Sequence, residues 1–266
     1  MLYFVATPIG NLKDITLRAI EVLNSVDEIA CEDTRHSLGL LNAYEIKKPL
    51  FSYHKFNEKE AGAKIIQKLK DGKNIAVITD AGMPVVSDPG NLLTQMLIEE
   101  GLEFTVVPGA CAFVSALVLG GLDSSKFCFL GFMPSKNTER KEFLEKYKSL
   151  DMTLIFYSAP HDVKKDIESI YSVFGERRAV AVKEITKLHE RAERFNLKDG
   201  LPSEPKGEFV LLVEKCTDTN PFLSLSEEEH IKKYIADGMD KKDALKRVAK
   251  ERGVSKSSLY KYTIDN

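Results

Sequence analysis

The chain has 266 residues, enough for one large domain or two small ones, and its 43% hydrophobic content is that of an ordinary globular protein. A formal net charge of −2 excludes a wholesale electrostatic grip on nucleic acid, though not a local basic patch. Cys31, Cys111, Cys128 and Cys216 are far apart and form no CxxC, which argues against a thiolate metal site and for free thiols in a reducing compartment.

The first ten residues, MLYFVATPIG, lack the basic and long apolar segments of a signal peptide. No apolar run approaches bilayer-spanning length, so the expected location is cytoplasmic, with no membrane partner. Residues 2–6 read as a strand, 7–12 as a tight loop, and 14–23 as a helix turning Ile15, Ile20 and Leu23 inward. A strand, a glycine-containing loop and a helix invite a dinucleotide-binding reading. It fails, because there is neither a GxGxxG nor a GxxxxGK[ST]. Residues 28–31 form a second strand, running into Glu32-Asp33-Thr34-Arg35. These four are either a surface ion pair or, at a strand's carboxyl end, part of a ligand site. The stretch Ser52-Tyr53-His54-Lys55-Phe56-Asn57-Glu58 mixes aromatics, cations and amides, which suits RNA bases and phosphates. Residues 58–70 follow as a helix with Ala61, Ile65, Ile66 and Leu69 on one face.

The chain is organised around residues 75–90, IAVITDAGMPVVSDPG. The first four residues are a buried strand, and a helical pattern resumes at 92–98. The loop between holds Asp80, Gly82, Pro84, Asp88, Pro89 and Gly90. Its glycines permit positive φ and close backbone approach, and its prolines fix its shape. Residues 103–107 are a strand ending in Pro108-Gly109-Ala110-Cys111-Ala112, small residues that let a helix N-terminus meet a ligand. The apolar helix 112–119 is expected to be buried. The alternation then repeats: strands at 127–132, 153–157, 179–183 and 209–213, helices at 138–150 and 163–174, and a helical HERAERF from 189. Two α/β halves with loops at strand ends imply a cleft between domains, which we place at 1–122 and 123–219.

A third segment, 220–266, opens with the chain break Asn220-Pro221 and a helix start at Ser226-Glu227-Glu228-Glu229. Between 241 and 261 there are eight basic residues against two acids. The pattern reads as helix, Gly253 turn and Ser255-capped helix, resembling a helix-turn-helix. A plain helical hairpin with a solvated basic face is the alternative.

Nine stretches, VATPIGNLKDIT, EDTR, SYHKFNE, TDAGMPVVSDPG, VPGACAF, FLGFMPSK, FYSAPH, KEITKLHE and KGEFVLLVE, together resemble the tetrapyrrole methylase superfamily, in its ribosomal-RNA-modifying branch, over residues 1–215. The resemblance implies an α/β fold of two domains with S-adenosylmethionine (SAM) in the cleft between them, and a small helical C-terminal extension. It implies methylation of a ribose 2′-hydroxyl on a cytidine of 16S rRNA in the small ribosomal subunit, by a homodimer. By position, the SAM wall would include Pro8, Asp80, Gly82, Met83, Cys111 and Ala112, with Tyr157 near the adenosine and Lys206, Gly207 and Glu208 completing it. Tetrapyrrole-modifying relatives carry a GDP-type motif where this chain has Gly82-Met83-Pro84, which argues for the RNA branch. A hydroxyl nucleophile needs a base, and Glu32, Asp33, Arg35, His54, Lys55 and Asp88 are the candidates around that step. No metal cluster is visible in the spacing. Two alternatives stay open: a precorrin-type methyltransferase, with an apolar cleft for a macrocycle, and a ligand-sensing nucleic-acid-binding regulator without turnover.

Overall fold

The computed structural model describes residues 1–216, 222 and 225–262. Two compact units emerge: residues 1–148 with 152–214, and residues 149–151 with 215–266. The expected chain break at Asn220-Pro221 lies outside the described residues. Among the described residues no helix is long and apolar enough to cross a membrane.

The first unit holds two five-stranded sheets. In the first, β1 (Leu2–Val5), β2 (Glu28–Cys31), β3 (Leu50–Ser52), β4 (Ile75–Ile78) and β5 (Phe104–Val107) lie in the order β3-β2-β4-β1-β5, with every pair parallel. A parallel sheet must bury both faces, which is why β1 and β4 are continuous apolar runs rather than alternating ones. On one face α3 (Glu58–Lys70) and α4 (Asn91–Glu99) bring Ile65, Leu69, Leu93 and Leu97 against Phe4 and Val77. On the other, α1 (Leu17–Ser25) and α2 (Thr34–Ala43) bring Leu23 and Leu41 against Val5, Ile29 and Ile78. The α1 helix starts later than its apolar pattern suggests. Thr16 caps it by accepting from the Ala19 N–H, and a 3-10 turn at Leu12–Asp14 precedes it. The α2 helix has no continuous apolar stripe and is set instead by its cap, Asp33.

Parallel strands place all five carboxyl ends on one edge. The chain leaves β1 toward the β3 side and leaves β4 toward the β5 side, so these two neighbours form a topological switch point. There the loops after β1 and β4 are tied together: Thr7 N–H donates to Gly82 O at 2.9 Å, and Gly82 N–H to Thr7 O at 3.1 Å.

The second sheet contains β6 (Phe127–Phe132), β7 (Thr153–Ser158), β8 (Arg178–Lys183), β9 (Arg191–Asn196) and β10 (Phe209–Val213), in the order β6-β7-β10-β8-β9. Only β6 and β7 are parallel among these neighbours. The α5 helix (Ala112–Gly120) packs on this sheet through Ala116 and Leu117 against Val180 and Leu212. Its other face is open, with Val118 78% exposed and Val114 and Leu119 also exposed, so the burial expected for α5 holds on one side only. The α6 helix (Asn137–Glu145) stops short of the expected residue 150, and α7 (Val163–Phe174) matches its apolar pattern. The HERAERF segment is not helical. It is β9, paired with β8 along its length, with Glu193 buried beside Lys183 at 3.4 Å and Arg194 exposed. Sheet pairing overrides the local helical preference of Glu, Arg and Ala.

In the second unit, α8 (Glu227–Ala236) begins with a full capping box between Ser226 and Glu229. Then α9 (Lys241–Arg252) ends on Gly253 in the left-handed region, and Ser255 caps α10 (Lys256–Leu259). The helix–glycine turn–helix pattern is therefore present, but α10 is a single turn followed by a 3-10 turn at Tyr260–Tyr262. Ile231, Leu245, Val248 and Leu259 form its core. Arg252, counted among the basic residues, turns inward and donates to the carbonyls of Phe222, Leu225 and Ser226 and to Nδ1 of His230.

Candidate active site

A cavity of about 390 Å³ opens within the first unit at the switch point. From the first sheet it is lined by Ile9 after β1, Glu32 after β2, Thr79 to Met83 and Val86 to Asp88 after β4, and Cys111 and Ala112 at the start of α5. From the second sheet come Phe132, Tyr157 to Pro160, Ile185, and Glu208 to Val210. Its volume lies at the lower end of the roughly 300–1,000 Å³ typical of small-molecule sites.

The loop after β4 is held in a costly shape. Val85 has φ 76° and Ser87 φ 67°, left-handed conformations, and a β-branched residue such as Val85 adopts one only when its surroundings impose it. One restraint is Glu58 at the start of α3, whose Oε1 accepts from Gly90 N–H at 2.8 Å and from Tyr53 Oη at 3.0 Å. Gly82 sits at φ +84°, an angle that disfavours a side chain, and a Cβ there would stand 3.3 Å from Ile9 Cγ2, which would have to give way slightly. Across the cavity, Ser158 donates to buried Asp166 at 2.5 Å. Fully buried Arg140 lies 3.3 Å from Asp166 and donates from Nε to Pro134 O at 2.9 Å. This chain of polar contacts fixes the β7 wall against the loop after β6.

Three carboxylates, Glu32, Asp80 and Asp88, share the first-sheet wall. The Thr79 hydroxyl donates to Glu32 Oε2 at 3.4 Å and also faces Asp88. Burial pushes the Asp88 carboxyl up to about 6, and the nearby charges of Glu32 and Asp80 add to the rise. Burial likewise pushes the Tyr157 phenol up to about 12, so it stays neutral near pH 7. The opposite wall, with Phe132, Tyr157, Ile185 and Val210, is largely apolar and aromatic, and its one carboxylate, Glu208, is paired with Lys187. An anionic side facing an aromatic one fits a ligand that is cationic at one end and a planar heterocycle at the other.

Of the residues singled out in the sequence, Glu32, Asp80, Gly82, Met83, Asp88, Cys111, Ala112, Tyr157 and Glu208 line the cavity. The others stand outside its wall. Pro8 is buried. Asp33 caps α2, accepting from Arg35 N–H at 2.8 Å, and that hydrogen bond holds its carboxyl below the usual range. Arg35 is exposed beside it. His54 and Lys55 belong to the turn after β3. Lys206 is exposed, and Gly207, at φ +82°, packs so tightly on Glu184 that a Cβ would come within 2.5 Å of its side chain. Thr79, Ser87, Phe132, Ser158 and Ile185 are lining residues that sequence reasoning misses. All lie in or beside the conspicuous loop stretches, but nothing in their residue types marks them.

The family model for Tetrapyrrole (Corrin/Porphyrin) Methylases matches residues 1–199. Proteins named ribosomal RNA small subunit methyltransferase I resemble the chain nearly end to end. The one from Halalkalibacterium halodurans is 41% identical, covering 97% of this chain and 93% of its own. That from Haemophilus influenzae is 43% identical, covering 98% and 95%. Among solved structures, the methyltransferase CobJ superposes with a TM-score of 0.62 at 17% identity, covering 81% of this chain and 94% of its own. Diphthine synthase superposes with a TM-score of 0.63 at 15% identity, covering 80% and 89%. At such identities these structures speak for the fold alone.

Proposed function

This chain belongs to the tetrapyrrole methylase family and is a methyltransferase, and we propose that SAM is its methyl donor and the ribose 2′-hydroxyl of a cytidine in 16S rRNA, within the small ribosomal subunit, its acceptor. The observation that carries this reading is the likeness to small-subunit rRNA methyltransferases through almost the whole chain. The cavity supports it. Glu32, Asp80 and Asp88 would face the cationic part of the cofactor, and Tyr157, Phe132 and Ile185 its adenosine. Bound SAM supplies an electrophilic methyl group on a sulfonium. The remaining chemistry belongs to the chain: to hold the hydroxyl in line, exclude water and take its proton.

Asp88 is the base we assign from the six candidates. It lines the cavity, and a carboxylate whose proton affinity is raised toward neutrality is a better acceptor than an ordinary one. Glu32 lies on the same wall, and its charge helps keep the proton affinity of Asp88 high. Asp33 is occupied as a cap, and Arg35, His54 and Lys55 are better placed to meet the RNA than the reacting hydroxyl. A homodimer belongs to the same reading, and the open apolar face of α5 is available to it.

The test is methyl transfer from labelled SAM to small subunits isolated without the modification, with a porphyrinoid acceptor in parallel. Label on a ribose of 16S rRNA is expected. Label on the porphyrinoid, or SAM binding without transfer, would overturn the reading in favour of one of its alternatives.

A further inference from the structure

Resting on the RNA substrate just assigned, we propose that Phe56 is a stacking platform for an unpaired nucleobase beside the target ribose, with Lys55 holding an adjoining phosphate. Phe56 is 94% exposed, an aromatic ring standing almost wholly in water. It is not on a loose tip. His54 N–H donates to Asn57 Oδ1 at 2.8 Å, Asn57 N–H returns to His54 O at 3.0 Å, and Asn57 Nδ2 donates to Ser52 O at 3.1 Å. These bonds close the turn that carries the exposed ring. The His54 ring meets Phe56 at an interplanar angle of 65°, with centroids 6.1 Å apart, which leaves the exposed ring face open to stacking.

The turn is also tied to the catalytic loop. Glu58, two residues after Phe56, accepts from the N–H of Gly90, two residues after Asp88. The sheet order places this turn beside the loop that carries Glu32 and Arg35, because β3 neighbours β2, and β2 neighbours β4. Exposed cations at Lys55 and Arg35 thus share one sheet edge with the carboxylates of the cavity. An outward aromatic face flanked by cations suits a splayed single-stranded nucleotide: every base offers a π-face, and the phosphates meet the charges. A ribose hydroxyl is aligned for transfer only if the neighbouring nucleotides are held, and a ring carried on a braced turn beside the loop after β2 lowers the cost of ordering them.

The chain contains no tryptophan, so Phe56→Trp creates a unique reporter. Its emission is expected to be quenched by small subunits and equally by 16S rRNA stripped of protein. Phe56→Ala should raise KM for the RNA on the order of tenfold, in keeping with the loss of one base–aromatic stack, with SAM affinity and thermal unfolding unchanged. Parental KM in Phe56→Ala, or unaltered indole emission from Phe56→Trp at saturating RNA, would overturn the inference while leaving the function intact. Quenching by subunits but not by stripped RNA would assign the ring to a ribosomal protein and overturn it too. If the parent itself transfers no methyl group to RNA, the functional reading fails first and the inference with it.

Discussion

Asp88 carries opposite demands on stability and function. Its carboxyl is pushed from the ordinary aspartate range up to about 6, by burial first and then by Glu32 and Asp80. The folded state therefore holds the Asp88 proton more tightly than the unfolded chain does. The stability this contributes is complete below about pH 4 and is lost as pH rises through about 6. At pH 8 the native state carries an ionised, half-buried carboxylate among two others. Replacing it with a neutral isostere removes that cost and keeps an acceptor for the Thr79 hydroxyl. Asp88→Asn is expected to stabilise the protein by about 2 kcal/mol at pH 8 and by nothing at pH 4, as read by denaturant unfolding across that range. The same variant should lose methyl transfer by about a hundredfold or more, the scale of general-base catalysis. If Asp88→Asn is instead less stable than the parent at pH 8, burial of the charge is not what raises its proton affinity, and the base assignment loses its physical ground.

At the scale of elements, the loop after β4 matters more than any strand. Gly82 bridges to Thr7 in both directions, sits at φ +84°, and has Ile9 within reach of any Cβ. Gly82→Val should cost about 2 kcal/mol of stability and weaken SAM binding at least tenfold, since the side chain would push Ile9 into the cavity. Titration calorimetry and thermal unfolding measure both, and unchanged SAM affinity would move the cofactor site away from this loop. Such a loop is legible in sequence because glycine, proline and aspartate report backbone shape and strand ends directly. Four strands of the first sheet, β1, β2, β4 and β5, are legible for a related reason, as short apolar runs with no other periodicity, whereas the three-residue, half-buried β3 carries too short a run to read. The antiparallel half is harder to read. Nothing local in Arg191 to Asn196 distinguishes a helix from a strand, and the decision falls to pairing with β8. The Arg140–Asp166–Ser158 chain is likewise invisible beforehand, because its members are 26 and 8 residues apart and become neighbours only through folding.

At the scale of the whole chain, the net charge of −2 forces RNA binding to be local, and the C-terminal unit is one place where positive charge collects. Between residues 226 and 262 there are ten Lys and Arg against seven Asp and Glu. Its structure sorts those cations. Arg252 is turned inward and holds the unit together, so it is not available to phosphate. Lys246 and Arg247 are exposed: Lys246 pairs with exposed Asp243 across a solvated contact, weak enough for a phosphate to replace, and Arg247 pairs with the largely buried Glu251 and lies over the Tyr234 ring with its outer edge in solvent. Lys250 is exposed on the same helix. Replacing Lys246, Arg247 and Lys250 together with glutamine should therefore weaken RNA binding regardless of sequence. It should also lower the slope of log affinity against log salt by up to about 2, as three phosphate contacts to single-stranded RNA are lost. SAM affinity should stay at the parental value, because every residue lining the cavity lies at or before position 210. Arg35 and Lys55 at the sheet edge should behave differently, their replacement lowering turnover more than affinity, because they position the nucleotide beside the cavity. A triple variant that binds and methylates small subunits like the parent at every salt concentration would make the C-terminal unit a solvated helical hairpin, and would leave the sheet-edge loops to hold the RNA alone.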